Sequence, residues 1–469
     1  MNILKKHEWL VFVPLAFITH FAFAYNSVLF NGPMQSLLND SWLLHCLGKS
    51  YVDEGQMMYG GEYSLHQLPL YPLLISVFYR VFGEDPRYLL AFQIGLSIVF
   101  VNCMVRVCRG ILGEWRFLLG LALCFDLHLV LYSACLLTEF WVMSFWALGL
   151  FFIYKFEKAK ELRFWILSIL SFCVAMNIKP LALFLPLFIL LILLVLKESF
   201  LGKLKLFGIA VLLFILTISP LLVRNYLISN KFPLLTTISA LNLWYYNISY
   251  ARCLTEGLSL AEAKADQVEI MRQYLNANGH DIEPVPHPVY LDRHGHRHAL
   301  GLTEFEYSEH ANKLSSDFLK ENFFSYSLCH ISQSKNVFYI SNLSWVKLVF
   351  HHYDAISYSG LSFQKVKNWI KNKEYKQVFF LFVRGYELCY SYGFLLLALI
   401  GAIFKIKNKD RSIFYWALWT VVLYVFLITG VNTWGRFRFL FMPFLMLLGM
   451  IGLKSFIEML KLKFYSKPI

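Results

Sequence analysis

The sequence predicts an all-α integral membrane protein with about ten transmembrane helices, a first outer loop lying on the membrane surface and an α-rich outer domain. Two observations lead to this prediction. The 469 residues are 58% hydrophobic and 16% charged, whereas soluble globular chains are about 45–50% apolar and about 25% charged. Stretches without Asp, Glu, Lys or Arg also recur along the chain, and a bilayer core needs about 20 mostly apolar residues in helical form.

The first span is predicted at 9–29, an apolar stretch too long for a cleaved signal peptide. The same criterion places the other spans at 88–108, 117–135, 138–154, 164–179, 181–197, 206–223, 386–404, 413–431 and 437–454. Lys and Arg are concentrated in every second connection between these spans. Because cytoplasmic loops are rich in these residues, both termini are predicted to be cytoplasmic.

This topology divides the chain into three regions. A transmembrane catalytic region is predicted at 1–223, with the first outer loop at 30–87. An extracytoplasmic domain follows at 224–385, because a connection this long is a small domain rather than a simple loop. C-terminal transmembrane helices complete the chain at 386–469.

Two helices are predicted outside the membrane spans. The segment Leu70–Phe82 is apolar but short for a span, and it indicates a helix along the membrane surface that ends at Gly83. The stretch 259–276 has the apolar periodicity of an amphipathic helix.

Charge and cysteine content exclude other classes of protein. The formal net charge is +13, which in a soluble chain would raise nucleic acid as a partner. The positive charge here follows the membrane topology and no basic recognition helix accompanies it, so no nucleic-acid partner is predicted. The nine cysteines include no CxxC pair, which excludes zinc-ribbon and thioredoxin spacing.

Asp40 is the first candidate for chemistry, because it follows the first predicted span at the outer membrane boundary. A carboxylate there can take a proton from an acceptor group or bind a metal that polarises a phosphate. The alternative is a helix N-cap, since Asp and Ser are common caps before an apolar helix. The spacing leaves both interpretations open.

Cations also occur at the outer ends of predicted spans, against the usual charge bias. They are Lys179, Arg224, Arg436 and Arg438, and Glu139 begins the fourth span. Charges next to apolar segments are costly and often functional, and a phosphate suits both Lys and Arg. These four cations are therefore candidates for one phosphate site, with snorkelling to lipid headgroups as the alternative.

Histidines give weaker indications of a metal site. The run from His280 to His298 matches no closed four-ligand zinc pattern, which favours a solvated loop. His66 is the better metal or phosphate candidate because it shares the first outer loop with Asp40, and His128 is interpreted as a core residue. The cofactor stays open, with a divalent metal held by His66 and Asp40 as one option.

An ordered set of short motifs resembles a known family, the polytopic C-type glycosyltransferases that use lipid-phosphate sugar donors. The resemblance is to the bacterial branch related to protein O-mannosyltransferases and the lipid A aminoarabinose transferase. The motifs are Asp40 after the first span, Leu68-Pro69-Leu70-Tyr71-Pro72, Thr138-Glu139, Ile178-Lys179-Pro180, Arg224-Asn225-Tyr226, the segment 236–247, and Arg436-Phe437-Arg438 with Pro443. Ser41 stands where many members have a second acid, and His66-Gln67 where the aminoarabinose branch has Glu-Lys.

The resemblance implies a catalytic role for Asp40 and donor-phosphate binding by Lys179, Arg224, Arg436 and Arg438, with His66, Tyr71 and Glu139 as further candidates. The implied activity moves a sugar from a polyprenyl-phosphate donor to a lipid, glycan or protein acceptor on the extracytoplasmic face, with inversion at the sugar carbon. Membrane lipids would be the other partners, and the resemblance to the bacterial branch implies a bacterial inner (plasma) membrane. The alternatives are a polyprenyl-lipid flippase or transporter, and an O-antigen ligase-type transferase. Many transporters contain internal repeats, and none is found in this sequence.

Overall fold

The computed structural model describes residues 8–22, 39–232, 235–283, 302–339, 363–430 and 435–465. The described part is almost entirely helical, so the predicted all-α class is confirmed. Its strands form one short antiparallel hairpin in the first outer loop, in which Met58–Tyr59 pairs with Glu62–Tyr63.

The helices up to residue 229 are α-helices together with short 3₁₀-helices and a π-helix. In chain order they are Trp9–Ala16, Phe17–Phe21 (π), Asn39–Asp53, Leu70–Phe82, Pro86–Val107, Arg109–Leu112, Gly113–Trp115 (3₁₀), Arg116–Cys124, Leu127–Ser133, Glu139–Ala159, Leu162–Ile178, Pro180–Ala182 (3₁₀), Leu185–Phe188, Ile189–Leu194 (3₁₀) and Phe200–Ser229.

The second part of the chain contains the helices of the predicted outer domain, called the outer helices below, and those of the C-terminal region. In chain order its helices are Ile238–Leu241, Asn242–Ile248 (π), Ser249–Glu256, Leu260–Ala277, Glu304–Ser334, Asn336–Tyr339, Phe363–Lys371, Tyr375–Lys407, Ile413–Thr429, Gly435–Leu440 (3₁₀) and Met442–Tyr465.

Among the described residues, five helical stretches are long and apolar enough to cross a membrane. They are Pro86–Cys124, Glu139–Ala159, Phe200–Ser229, Gln377–Lys407 and Met442–Leu462. Shorter apolar helices accompany them at Trp9–Phe21, Leu70–Phe82, Leu162–Ile178, Pro180–Leu194 and Ile413–Thr429. The chain is therefore an integral membrane protein.

Two predicted spans differ from the structure. The stretch predicted at 117–135 is broken, because one helix ends at Cys124 and the buried Asp126 caps the next by accepting a hydrogen bond from the His128 N–H at 3.1 Å. Apolar content cannot reveal such a break. The stretch predicted at 181–197 is the short helical stretch Pro180–Leu194, which is made of 3₁₀ and α turns rather than one continuous α-helix.

Close helix packing stabilises the C-terminal spans. The helices Tyr375–Lys407 and Met442–Tyr465 cross at Gly452, where an added Cβ would lie only 1.9 Å from the carbonyl oxygen of Leu397. Small residues let membrane helices approach each other closely, and van der Waals contact between the helices then supplies much of the attraction. A side chain at Gly452 would separate the two helices.

The helices between residues 238 and 334, which the predicted topology places outside the membrane, have their own apolar core, built around Trp244, Ile248, Met271 and Tyr307. Two capping boxes define where its main helices begin. Ser259 and Glu262 start Leu260–Ala277, the amphipathic helix that the sequence predicts, and Thr303 and Glu306 start Glu304–Ser334. Each box satisfies backbone N–H groups that the first turn would leave without partners.

Candidate active site

Asp40 lies in the first turn of the helix Asn39–Asp53. Its carboxylate accepts a hydrogen bond from Nη1 of Arg436 at 2.5 Å. A carboxylate is also favoured at this end of a helix by the positive end of the helix dipole. Both side chains are about one-fifth exposed, 22% for Asp40 and 19% for Arg436, so solvent reaches the pair.

Arg436 joins Asp40 to a second carboxylate. It lies in the 3₁₀ turn Gly435–Leu440, directly before a membrane helix, and its Nε is 3.7 Å from Oε1 of Glu139. Burial alone would lower the pKa of the Arg436 guanidinium, but the carboxylates of Asp40 and Glu139 outweigh it and the pKa is raised. Arg436 is therefore a permanent cation between two acids.

Glu139 and Lys179 complete the cluster. Lys179 Nζ is 2.8 Å from Oε1 of Glu139 and donates to the Thr138 hydroxyl at 3.3 Å, while that hydroxyl donates to Glu139 Oε2 at 3.2 Å. The position of Lys179 follows from Pro180, because the residue before a proline avoids the helical region. Lys179 has φ −144° and ψ 130°, which ends its helix.

We call Asp40, Glu139, Lys179 and Arg436 the outer quartet. Its members come from four distant parts of the chain, and their two negative and two positive formal charges sum to zero. Phe437 contributes a ring 5.4 Å from the Arg436 guanidinium carbon and 5.7 Å from Lys179 Nζ. Both distances suit cation–π attraction, so one ring restrains both cations.

Arg438 is only two residues from Arg436 but belongs to a different network. Its side chain has no exposure and donates to the Val337 carbonyl at 2.7 Å, to Glu387 Oε1 at 3.1 Å and to Ser391 Oγ at 3.2 Å. The structure thus places this predicted phosphate ligand against protein partners, outside the outer quartet.

Glu387 links Arg438 to His128, whose Nε2 lies 3.4 Å from Glu387 Oε1. The other ring nitrogen of His128 lies 2.9 Å from Oδ1 of Asp126. We call Asp126, His128, Glu387 and Arg438 the buried network. The interpretation of His128 as a core residue is confirmed, since it is 1% exposed.

Arg224 lies near the end of the helix Phe200–Ser229 and donates to Oδ1 of Asn225 at 3.0 Å. Its charged and phenolic neighbours are Glu304 and Tyr51, so it faces the first outer loop and the outer helices.

The two other candidates, His66 and Tyr71, make hydrogen bonds within the protein, His66 in the first loop and Tyr71 in the core. The His66 carbonyl accepts from the Thr236 hydroxyl at 2.8 Å. Tyr71 is 1% exposed and donates to Gln93 Oε1 at 3.0 Å.

Among the described residues, no group of three or more His, Cys, Asp or Glu could hold a metal ion. The His-rich loop lies mostly outside the described residues.

Gln93 is a supporting residue that the sequence reasoning missed. Its Oε1 also accepts from Trp141 Nε1 at 2.7 Å, and its Nε2 donates to the carbonyls of Ser133 and Cys135 at 3.3 and 3.0 Å. Gln93 thereby anchors the segment that leads into Glu139. Its signal was an amide side chain in an apolar predicted span, which also contains Asn102. Glu387 had the stronger signal, a carboxylate inside a predicted span.

Comparison with protein families gives one match within the chain. Residues 66–223 match the family model described as dolichyl-phosphate-mannose-protein mannosyltransferase. The matched segment contains Glu139 and Lys179, two members of the outer quartet. A comparison with curated proteins finds no match.

Comparison with solved structures matches almost the whole chain. The archaeal oligosaccharyltransferase AglB from Archaeoglobus fulgidus, solved with an inhibitory peptide and a dolichol-phosphate, covers 98% of this chain with a TM-score of 0.52 and 12% identity. The resemblance to polytopic glycosyltransferases is confirmed. This chain spans about half, 51%, of the AglB chain. ArnT from Cupriavidus metallidurans, bound to undecaprenyl phosphate, matches with a TM-score of 0.40, 12% identity and coverage of 97% of this chain and 80% of ArnT.

Proposed function

We propose that this protein is a membrane glycosyltransferase, either hexosyl or pentosyl, that uses a polyprenyl-phosphate sugar donor. The acceptor is a lipid, glycan or protein at the extracytoplasmic face. The observation that carries the proposal is the outer quartet, which combines a partly exposed carboxylate with two cations beside apolar helix ends. The family match over 66–223 supports the same chemistry.

The donor explains why such a cluster lies between membrane helices. A polyprenyl tail is apolar and stays in lipid, whereas its phosphate and sugar need a polar site at the boundary. In the transfer, the bond between the anomeric carbon and a phosphate oxygen breaks, and the acceptor oxygen or nitrogen bonds to that carbon from the opposite side. The departing phosphate gains negative charge, which Arg436 and Lys179 would stabilise where it develops.

Asp40 supplies the base in this reaction. The acceptor hydroxyl or amine loses a proton as its oxygen or nitrogen attacks, and the Asp40 carboxylate accepts it. In the structure this carboxylate is bound to Arg436 at 2.5 Å. We infer an exchange of anions, in which the donor phosphate takes the place of Asp40 at Arg436. The carboxylate is then released to face the acceptor only when a donor is bound.

The decisive experiment uses the purified protein in lipid nanodiscs with a radiolabelled polyprenyl-phosphate sugar. Asp40→Asn keeps the size of the side chain but removes the base, so turnover should fall by about 10²-fold or more. Donor binding, measured separately by equilibrium filtration, should persist. Ser41→Ala is the matched control, a neighbouring change that leaves the carboxylate in place.

Turnover of Asp40→Asn at the level of wild type would remove the proposed base. A wild-type protein that moves the whole lipid-linked sugar across the bilayer without breaking the phosphate–sugar bond would instead be a flippase. An activity lost on chelation and restored by Mg²⁺ or Mn²⁺ would add a divalent metal to the site.

The membrane orientation is part of the proposal. The basic connections, including Lys405, Lys407 and Arg411, are assigned to the cytoplasm and the outer quartet to the other face. A reporter enzyme fused after residue 300 should report an extracytoplasmic position, and one fused after Lys407 a cytoplasmic position. The same side for both fusions contradicts this topology.

A further inference from the structure

The helix Glu304–Ser334 changes character at Asn322, where its backbone departs from helical geometry with φ −119° and ψ 17°. Before this kink the outward residues are charged, with side-chain exposures of 62% for Glu309 and 72% for Lys320. After it no Asp, Glu, Lys or Arg occurs until Lys335. One helix therefore has a polar half and an uncharged half.

The uncharged half exposes large apolar side chains. Phe323 is 67% exposed, Phe324 75%, Leu328 57% and Ile331 57%. Positions 324, 328 and 331 share one helix face, since they are spaced four and three residues apart. Exposed apolar stripes of this kind mark contact with a partner or a membrane.

The opposite face of this half is packed on the protein. Cys329 is buried beside Ala251, and the Tyr326 hydroxyl is 3.4 Å from the Asn247 amide. The apolar stripe consequently points away from the outer domain.

The contacts of His330 fix the depth of the stripe. His330 Nε2 donates to the Leu427 carbonyl at 2.8 Å, and a Cβ on Gly430 would overlap the His330 ring. Leu427 lies near the end of the span Ile413–Thr429, about 21 Å along the helix from Ile413. The basic segment before Ile413 stays in water, and a hydrocarbon core is about 30 Å thick. His330 is therefore at the level of the outer part of the bilayer.

We propose that residues 323–331 are immersed in the outer leaflet, so that Phe323, Phe324, Leu328 and Ile331 contact lipid acyl chains. The kink at Asn322 then marks the passage from water to lipid. This surface attaches the extracytoplasmic domain to the membrane independently of its covalent connections. It does not depend on the proposed transferase activity, but the choice of the outer leaflet rests on the membrane orientation proposed above.

The test introduces p-benzoylphenylalanine into the full-length chain in phosphatidylethanolamine–phosphatidylglycerol nanodiscs. Phe324→p-benzoylphenylalanine and Leu328→p-benzoylphenylalanine place the probe on the stripe. The matched controls, Asp317→p-benzoylphenylalanine and Lys320→p-benzoylphenylalanine, place it on the polar half of the same helix. After irradiation, intact-protein mass spectrometry measures the fraction that carries one covalently bound phospholipid.

The stripe positions should give at least about fivefold more phospholipid adduct than the controls, because the interfacial apolar face is surrounded by acyl chains. Equal yields at the four positions would overturn the proposal. So would crosslinks to a second copy of the chain in place of lipid, or labelling that added polyprenyl phosphate abolishes. Thermal unfolding of each variant at the wild-type temperature shows that the probes report on the native fold.

Discussion

Arg436 and Arg438 are neighbours in sequence, but their surroundings give them opposite properties. Arg436 is partly exposed and pairs with Asp40, whereas Arg438 is fully buried against Glu387. The 3₁₀ turn explains the separation, since three residues per turn place positions two apart on different sides. The same short motif therefore supplies one cation to an open cluster and one to a closed core.

The difference lies in which partners can be replaced. Under the proposed function, an incoming phosphate would substitute for the Asp40 carboxylate at Arg436, because the pair is partly exposed and both ligands are anions. Arg438 has a carbonyl, a carboxylate and a hydroxyl around it, and Glu387 also faces His128. An anion could reach Arg438 only if the packed helices opened. We therefore expect Arg436 to govern donor use and Arg438 to govern stability.

Removal of Arg438 is expected to have the largest effect. Arg438→Met keeps much of the side-chain volume but leaves the Glu387 carboxylate without its cation in a buried site. Breaking a buried ion pair in this way costs about 3–5 kcal/mol. The fraction of protein that stays monodisperse after heating in detergent should fall sharply. Arg436→Met is the matched control and should melt close to wild type, since its pair is partly exposed. Equal destabilisation by the two changes would erase the distinction between the networks.

Loss of Arg436 should act on the donor instead. Arg436→Ala removes a cation expected to hydrogen-bond the phosphate, which is worth about 1.5–3 kcal/mol, or roughly 10- to 100-fold in donor KM. Arg436→Lys should recover only part of this, because Lys lacks the planar fork of Arg. Steady-state kinetics with varied donor measures both. Arg252→Ala, which breaks ion pairs with Glu256 and Asp266 in the outer domain, is the control and should leave donor KM unchanged.

A double variant sharpens this prediction. If Lys179 and Arg436 bind one phosphate, the free-energy costs of Lys179→Ala and Arg436→Ala in donor KM should not add, with a coupling of about 0.5–3 kcal/mol. Additive costs would indicate two independent sites, or the attraction of lipid headgroups to each cation separately.

The sequence predicted the fold well where the signal was apolar length. The helix Leu70–Phe82 has the predicted bounds, and Gly83 follows it with φ 92°. The break at Asp126 escaped the prediction, because a single buried cap is invisible to a hydropathy pattern. The hydropathy pattern also did not predict the proposed membrane contact of residues 323–331, since this stretch is too short for a span and lies inside a polar region.

The candidate site was predictable as a set of residue types and only partly as a geometry. Charges at apolar helix ends pointed to Asp40, Glu139, Lys179 and Arg436, and the structure brings these four together. The same criterion could not separate Arg438 from Arg436, because burial depends on the direction in which each side chain leaves the turn. That direction is set by tertiary packing, such as the Arg438 contact with the Val337 carbonyl.

The smallest expected effect has the opposite sign from the others. Glu139→Gln removes one negative charge from a quartet whose formal charges balance, so the site should then attract an anionic donor more strongly. At about 4 Å, one charge contributes about 1 kcal/mol when water screens the site with a dielectric constant near 80, which corresponds to a roughly fivefold lower donor KM. The turnover rate should not rise as the donor KM falls, because Glu139 also positions Lys179, whose Nζ lies 2.8 Å from its carboxylate. Glu114→Gln, at a site remote in sequence from the quartet, controls for the change in net charge. A raised donor KM in Glu139→Gln would mean that Glu139 acts mainly by holding Lys179 in place, and that the charge balance of the quartet does not limit donor binding.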